Sequence, residues 1–389
     1  MTHSPSSLRW SLTLLIVGLV AAGLHSRGTI ENRFATATVV DAPKKESAIA
    51  LFLPIEMPRS TPSAHASSAA FMPDGSLLVA WFGGTREGAD DVAIQMARVK
   101  DGRVQDSWIS LTCQQLEGLT HRVIRTLGNP VVWVDANGLV RLHVVSVSYG
   151  GWAGSSVNQL LSEDGGKSWS SARKLILSPL LNLSTLVRNQ PVTMEDGTLG
   201  LPAYHELLHK WGMWVRVTTE GRVLQCERMP SNVGELLQPA VVAISASDAV
   251  AVLRNTNTAQ PVIGRSATAD GGQTWELMAP LDIPNPNASV CMIRLLDGSL
   301  LIAANPLASG RHVLQLFRSR DSGASWTASR IIERSEIGGE FSYPSFAQSA
   351  DGMIYLSYTG QRKVIRLCAF NTAWIDAGDN EKAAMESAQ

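Results

Sequence analysis

Three short segments of the chain share one pattern: SEDGGKSW at Ser162–Trp169, TADGGQTW at Thr268–Trp275 and SRDSGASW at Ser319–Trp326. Each reads S/T-x-D-x-G-x-S/T-W. The Asp and hydroxyl side chains can accept and donate hydrogen bonds within their own turn while glycine takes a positive φ. The pattern therefore predicts a rigid β-hairpin whose Trp packs between neighbouring sheets. The spacing constrains the fold more than the motif does. Trp275 and Trp326 are 51 residues apart, and Trp169 and Trp275 are 106 apart, two equal steps of 53. Worn copies fill the ladder: VRVTTEGRV around Gly221, which lacks the Trp, and ARVKDGRVQDSW, which ends at Trp108.

A second ladder of turns runs in phase with the first. PDGSLLVAW at Gly75, ANGLVRLHV at Gly138, EDGTLGLP at Gly197, SASDAVAVL at Asp248, LDGSLLIAA at Gly298 and ADGMIYLSY at Gly352 are separated by 63, 59, 51, 50 and 54 residues. Asp/Asn-Gly turns between β-rich runs are the strongest short-range hairpin signal. Six units of about fifty residues, each a four-stranded antiparallel sheet, predict an all-β, six-bladed β-propeller, in which radial repetition leaves few exposed edges. A β-sandwich accounts for the strands but not for two ladders in register.

The N-terminus differs in kind. Arg9 precedes about fifteen mainly apolar residues, Trp10 to Leu24, short for a membrane span and suited to a secretory signal or an uncleaved anchor. The organisation read from sequence is a signal peptide or N-terminal membrane anchor at 1–29, a linker at 30–50, the propeller at 51–375 and a polar, disordered tail at 376–389. The propeller is thus expected to be exported: periplasmic, secreted or held at a membrane by its N-terminal segment. A net charge of −1 gives no electrostatic case for nucleic acid. Cys113, Cys226, Cys291 and Cys368 are more than fifty residues apart with no CxxC or Cys/His spacing, so they read as buried thiols. His65, His121, His205 and His209 form no metal-binding pattern, and no cofactor or metal is expected.

The innermost strand of each blade lines the central channel, so its first residues should face the mouth. Counting back seven to eleven residues from each turn gives His65, Asn129, Gln190, Gln238, Asn287 and Tyr343. Four of these precede proline, which donates no ladder bond and is tolerated where a strand starts. Polar or aromatic residues at six equivalent positions suggest a site. His205 and Glu206 with Trp211 and Trp214 read either as an aromatic wall of a binding site or as packing between blades.

The Asp motifs, the SYPS…DGMIYLSYT run and the six-unit layout resemble the sialidase superfamily, in particular the bacterial predicted-neuraminidase branch with BNR-type repeats, over residues 50–372. The resemblance implies a glycosidase acting on a glycan that ends in an acidic sugar. Because sialic acid carries a carboxylate on its anomeric carbon, such enzymes replace the usual carboxylate nucleophile with tyrosine. A carboxylate accepts the phenol proton, an Asp serves as acid and base, and arginine forks hold the sugar carboxylate. Carried onto this chain, Tyr343 matches the nucleophile, and Arg254 and Arg311 match two of the clamp arginines. Asp91 or Asp90, with Glu87 as a third candidate, lies on the loop of the acid/base Asp. Two positions depart from the family. His65 stands where the first clamp arginine is expected, and Gln238 stands where the activating carboxylate is expected; glutamine takes no proton from a phenol. Glu235 or Glu206 could supply that carboxylate, and Arg188 the missing clamp. Two other readings stay open: a glycan-binding propeller without turnover, and a lyase or hydrolase using His65, His121 or His205 as base.

Overall fold

The computed structural model describes residues 32–36, 49–178 and 182–378. The propeller falls within Arg33–Gln389. The apolar run Trp10–Leu24 and the end of the tail, residues 379–389, lie outside the described residues.

Six antiparallel sheets follow one another along the chain, each running outward from the channel. Blade 1 is Ser63–Phe71, Leu77–Gly84, Ala93–Lys100 and Arg103–Leu111. Blade 2 is Thr126–Val134, Val140–Val147, Ser155–Ser162 and Ser171–Lys174. In blade 3 the innermost strand is split into Leu186–Val187 and Val192–Thr193, followed by Leu199–His205, Trp211–Val217 and Val223–Arg228. Blade 4 is Leu236–Ala243, Ala249–Asn255, Gly264–Thr268 and Glu276–Leu277. Blade 5 is Cys291–Arg294, Leu300–Ala304, Val313–Ser319 and Thr327–Arg334. Blade 6 takes Phe341–Gln348, Ile354–Gly360 and Val364–Phe370 from the C-terminal end and Phe52–Ile55 from the N-terminal end. That last pairing, Phe52 opposite Phe370 and Ile55 opposite Leu367, closes the ring.

The core lies between blades. Leu78, Ile94 and Met96 of blade 1 pack with Leu127, Val132 and Leu142 of blade 2, and comparable clusters span the other blades. The Asp motifs form as the sequence predicts. Asp164 accepts from Ser162 Oγ (2.7 Å), the amides of Lys167 and Ser168 (3.0 and 2.9 Å) and Ser168 Oγ (2.6 Å). Trp169 donates Nε1–H to Ser110 O at 2.9 Å, which ties blade 2 to blade 1. All four cysteines are free thiols. Cys291 and Cys368 are buried as expected, but Cys113 and Cys226 are only partly so.

The proline positions differ from the sequence reading. Pro130, Pro239 and Pro344 lie inside the innermost strands rather than at their starts. The ladder skips at each: Gly128 pairs with Val145 and Val131 with His143, Leu237 with Arg254 and Ala240 with Val252, Ser342 with Thr359 and Ser345 with Ser357. The residue before proline is left-handed, with φ of 39° at Asn129, 51° at Gln238 and 54° at Tyr343. These are β-bulges on a channel-lining edge, where proline forfeits no ladder bond and the bulge turns a side chain toward the channel. Blade 1 bulges at Ala66, φ 52°, so His65 stands one residue before the equivalent position. Blade 3 inserts Arg188–Pro191, which splits its strand. The stretch read as a linker also contributes to the fold, since Phe34 bridges to Met194 and is fully buried against Trp214.

Candidate active site

The Asp-Gly turns join first and second strands at one rim of the propeller. The second strands end at the opposite rim, where Tyr343 sits: the two residues before it, Phe341 and Ser342, pair with Gly360 and Thr359. The left-handed bulge aims the Tyr343 ring into a ring of cations: the guanidinium of Arg188 lies 5.2 Å and that of Arg311 5.9 Å from its centre. Arg254 Nη1 donates to the phenol oxygen at 3.0 Å. The same guanidinium donates to Asn287 Oδ1 at 2.7 Å and Gln238 Oε1 at 3.3 Å. Gln238 in turn donates to the Tyr204 hydroxyl (3.2 Å), which also accepts from Asn129 Nδ2 (3.1 Å). The bulge residues of blades 2, 4 and 6, together with Asn287 of blade 5, therefore meet in one hydrogen-bonded chain across the mouth. Burial acts to raise the Tyr343 phenol, but the charges of Arg254 and Arg311 and a hydrogen bond from Gln238 outweigh it and leave the phenol below its ordinary value. Among the described residues no carboxylate is hydrogen-bonded to the Tyr343 hydroxyl.

The carboxylates stand one step back. Glu340, three residues before Tyr343, accepts from Arg311 Nη1 (3.0 Å), Arg362 Nε (2.7 Å) and Ser342 Oγ (2.5 Å). Burial opposes its charge, yet these donors hold it down at about 2. Arg362 also donates Nη1–H to Glu87 Oε2 at 2.5 Å. Neither Arg362 nor Glu340 is prominent in the sequence, because each carries no motif. The signal that could have found Arg362 is its turn: Gly360-Gln361-Arg362-Lys363 is a tight turn within the hairpin that pairs Gly360 with Val364, and it has neither Asn nor Gly at its centre.

The remaining candidates separate. Glu87 is the blade-1 carboxylate that joins the site. Asp91 instead caps its own loop, accepting from the amide (2.9 Å) and hydroxyl of Thr85, and the Thr85 hydroxyl is the main reason its pKa is lowered. Asp90 pairs with Arg125 at 3.4 Å on the exposed surface. Glu235 is engaged by His209 (3.4 Å) and Lys210 (3.5 Å). Glu206, at the end of the blade-3 second strand, is pushed above the ordinary carboxyl value by burial and feels the charges of Arg254 and Glu87.

Arg188 is no substrate clamp. It is fully buried and donates to the carbonyls of Ser67 (3.0 Å), Tyr343 (2.5 Å) and Pro344 (3.0 Å), bracing the blade-6 bulge from blade 3. Gln190 turns away from the mouth, donates to Ala69 O at 2.9 Å and lines a cavity of about 300 Å³ with Cys291, Met292 and Phe346. His65 is buried with its ring 4.2 Å from that of Tyr343, and neither ring nitrogen has a hydrogen-bond partner among the described residues. Burial, followed by the charge of Arg362, holds it well below its ordinary pKa, so it sits neutral against the tyrosine. His121 is the left-handed C-cap of the helix Cys113–Thr120. No sugar-stacking wall forms. Trp214 is wholly buried, and Trp211 lies between His205, stacked at 4.1 Å, and the Arg228 guanidinium at 4.7 Å.

The family described as "BNR repeat-like domain" matches residues 75–356. No curated protein matches the chain in sequence. Among solved structures, a Hadza microbial sialidase superposes with a TM-score of 0.68 at 16% identity, over 81% of this chain and 67% of the other. The intramolecular trans-sialidase from Ruminococcus gnavus gives 0.65 at 13%, over 82% and 96%. The Penicillium chrysogenum alpha-L-arabinanase gives 0.60 at 12%, over 83% and 99%. At these identities the likeness establishes the fold, which hosts more than one glycosidase chemistry.

Proposed function

The chain belongs to the BNR repeat-like domain family, and on that premise we propose that it is an exported sialidase-like glycoside hydrolase that removes a terminal acidic sugar from glycans through Tyr343. One observation carries the reading: the Arg254 guanidinium donates to the Tyr343 phenol at 3.0 Å while Arg311 lies 5.9 Å from the ring centre. Two arginine forks beside one phenol suit a substrate whose carboxylate sits next to the bond being broken. Since Gln238 replaces the activating carboxylate, the cations take over part of its task by favouring the phenolate. The phenol gives its proton to solvent water, the phenolate oxygen attacks the anomeric carbon, and the glycosidic oxygen leaves with a proton from Glu206, whose burial favours the protonated form. Water then attacks the glycosyl-tyrosine, gives its proton to Glu206 and releases the sugar with retention.

The test is release of a fluorescent aglycone from sialoside, other nonulosonate and uronide substrates by wild type and Tyr343→Phe. The expected outcome is release by the wild type and a loss of at least about a hundredfold in the variant. No release from any substrate, or equal release by both, overturns the proposal. Gln238 beside Tyr343 favours a second reading, a glycan-binding propeller without turnover. It predicts glycan-array binding that survives Tyr343→Phe and weakens with Arg311→Ala.

A further inference from the structure

We propose that Arg362 takes the sugar carboxylate by exchange: the substrate displaces Glu87 from the outer edge of the guanidinium, while Glu340 keeps the inner edge. The inference rests on reading the mouth as an acidic-sugar site, and it specifies how that site is held closed before substrate arrives.

The two partners of Arg362 are unequal. Glu340 has a side chain 20% exposed and is held at the same time by Arg311 and Ser342. Glu87 is 34% exposed, stands on the loop between two blade-1 strands and meets Arg362 through one hydrogen bond. The outer pair can open without stranding a buried charge, whereas the inner one cannot.

The backbone that presents Arg362 is strained toward this purpose. Gln361 and Arg362 both have φ of 54°, and Lys363 N–H closes the turn on Gly360 O at 3.0 Å. Asn and Gly normally fill such a turn, so two long side chains there cost free energy that some other contact must offset. What the turn secures is aim. Ala64 N–H donates to Arg362 O at 3.1 Å, which fixes the turn to the first strand of blade 1 beside His65. The guanidinium thereby lies near enough to His65 for its charge to act on that ring.

The charge around the phenol supplies the third argument. Arg311 and Arg362 are paired with Glu340 and Glu87, while Arg254 beside them hydrogen-bonds only amide and phenol oxygens among the described residues. The positive surplus fits an anionic ligand. A carboxylate arriving at Arg254 and Arg311 repels Glu87 and competes with it for the Arg362 fork.

Calorimetric titration of the full chain with free N-acetylneuraminic acid, free glucuronic acid and the methyl ester of each tests the exchange. The wild type is expected to prefer acid over ester. Glu87→Gln removes the competitor, so it should bind the acid several-fold more tightly with the ester unchanged. Arg362→Gln should weaken the acid at least tenfold and level acid with ester, and Arg362→Lys should recover part of the preference. Wild-type-like or weaker acid binding by Glu87→Gln, or an acid preference that survives Arg362→Gln, overturns the exchange alone. Absence of acid binding by the wild type overturns the acidic-sugar reading with it.

Discussion

At the scale of single residues the site is governed by how many cations surround one phenol. Arg254 and Arg311 favour the Tyr343 phenolate against the opposing effect of burial, so removing one guanidinium should raise the phenol pKa. Arg254→Gln is expected to move the acidic limb of the kcat/KM profile to higher pH, besides weakening substrate binding. A limb that stays in place would show that another group titrates there. Glu340 offers a stability test. Its carboxyl lies at about 2 in the fold against an ordinary 4.5, a depressed value whose stabilisation is present above about pH 4.5 and fades as pH falls toward 2. With the side chain 20% exposed, Glu340→Gln should cost roughly 3 kcal/mol at pH 7 and little near pH 2. Urea unfolding at the two pH values measures the difference.

At the scale of elements, two devices repeat around the ring with opposite tasks. The Asp hairpins at one rim are structural. Asp164 gathers four donors from its own turn, and Asp164→Ala leaves two amides without their acceptor. A loss on the order of 1–2 kcal/mol in chemical denaturation is expected, with no change in substrate affinity. The bulges at the other end of the innermost strands build the mouth. Each places a non-glycine residue in a left-handed conformation, and in blades 2, 4 and 6 that residue carries a polar side chain to the channel, which is why Asn129, Gln238 and Tyr343 meet although they belong to different blades. The X-Pro dipeptides marked these positions in the sequence. Their meaning was a bulge within the strand, and only the skipped register distinguishes that from a strand start.

At the scale of the whole molecule, the ring is held by pieces from both ends of the chain. Phe52–Ile55 completes blade 6 beside Val364–Phe370, and Phe52 stacks on Trp374 at 4.7 Å. Phe34 crosses to blade 3 and lies 5.8 Å from Trp214, with no exposed surface. A chain cut back to the first predicted strand therefore loses a buried aromatic. Phe34→Ala is expected to destabilise the protein by about 3 kcal/mol, read as a lower urea midpoint at unchanged slope. An effect below about 0.5 kcal/mol would mean that the segment only lies against the propeller.

The sequence by itself determined the blade count and the Asp hairpins, because each is written in a local pattern repeated at a near-constant interval; the same count put Tyr343 at the mouth, while Arg254 and Arg311 came from the family resemblance alone. It also located Gln238 where a carboxylate was wanting. Only the tertiary structure decided that Glu87 rather than Asp90 or Asp91 joins the site, that Arg188 braces the Tyr343 bulge, and that Arg362 and Glu340 stand beside it. The physical reason is ring closure. Arg362 meets Glu87 across 275 residues of chain, and Arg188 meets Tyr343 across 155. Such pairs are fixed by which blades become neighbours and which strands bulge, and no periodicity within one blade encodes them.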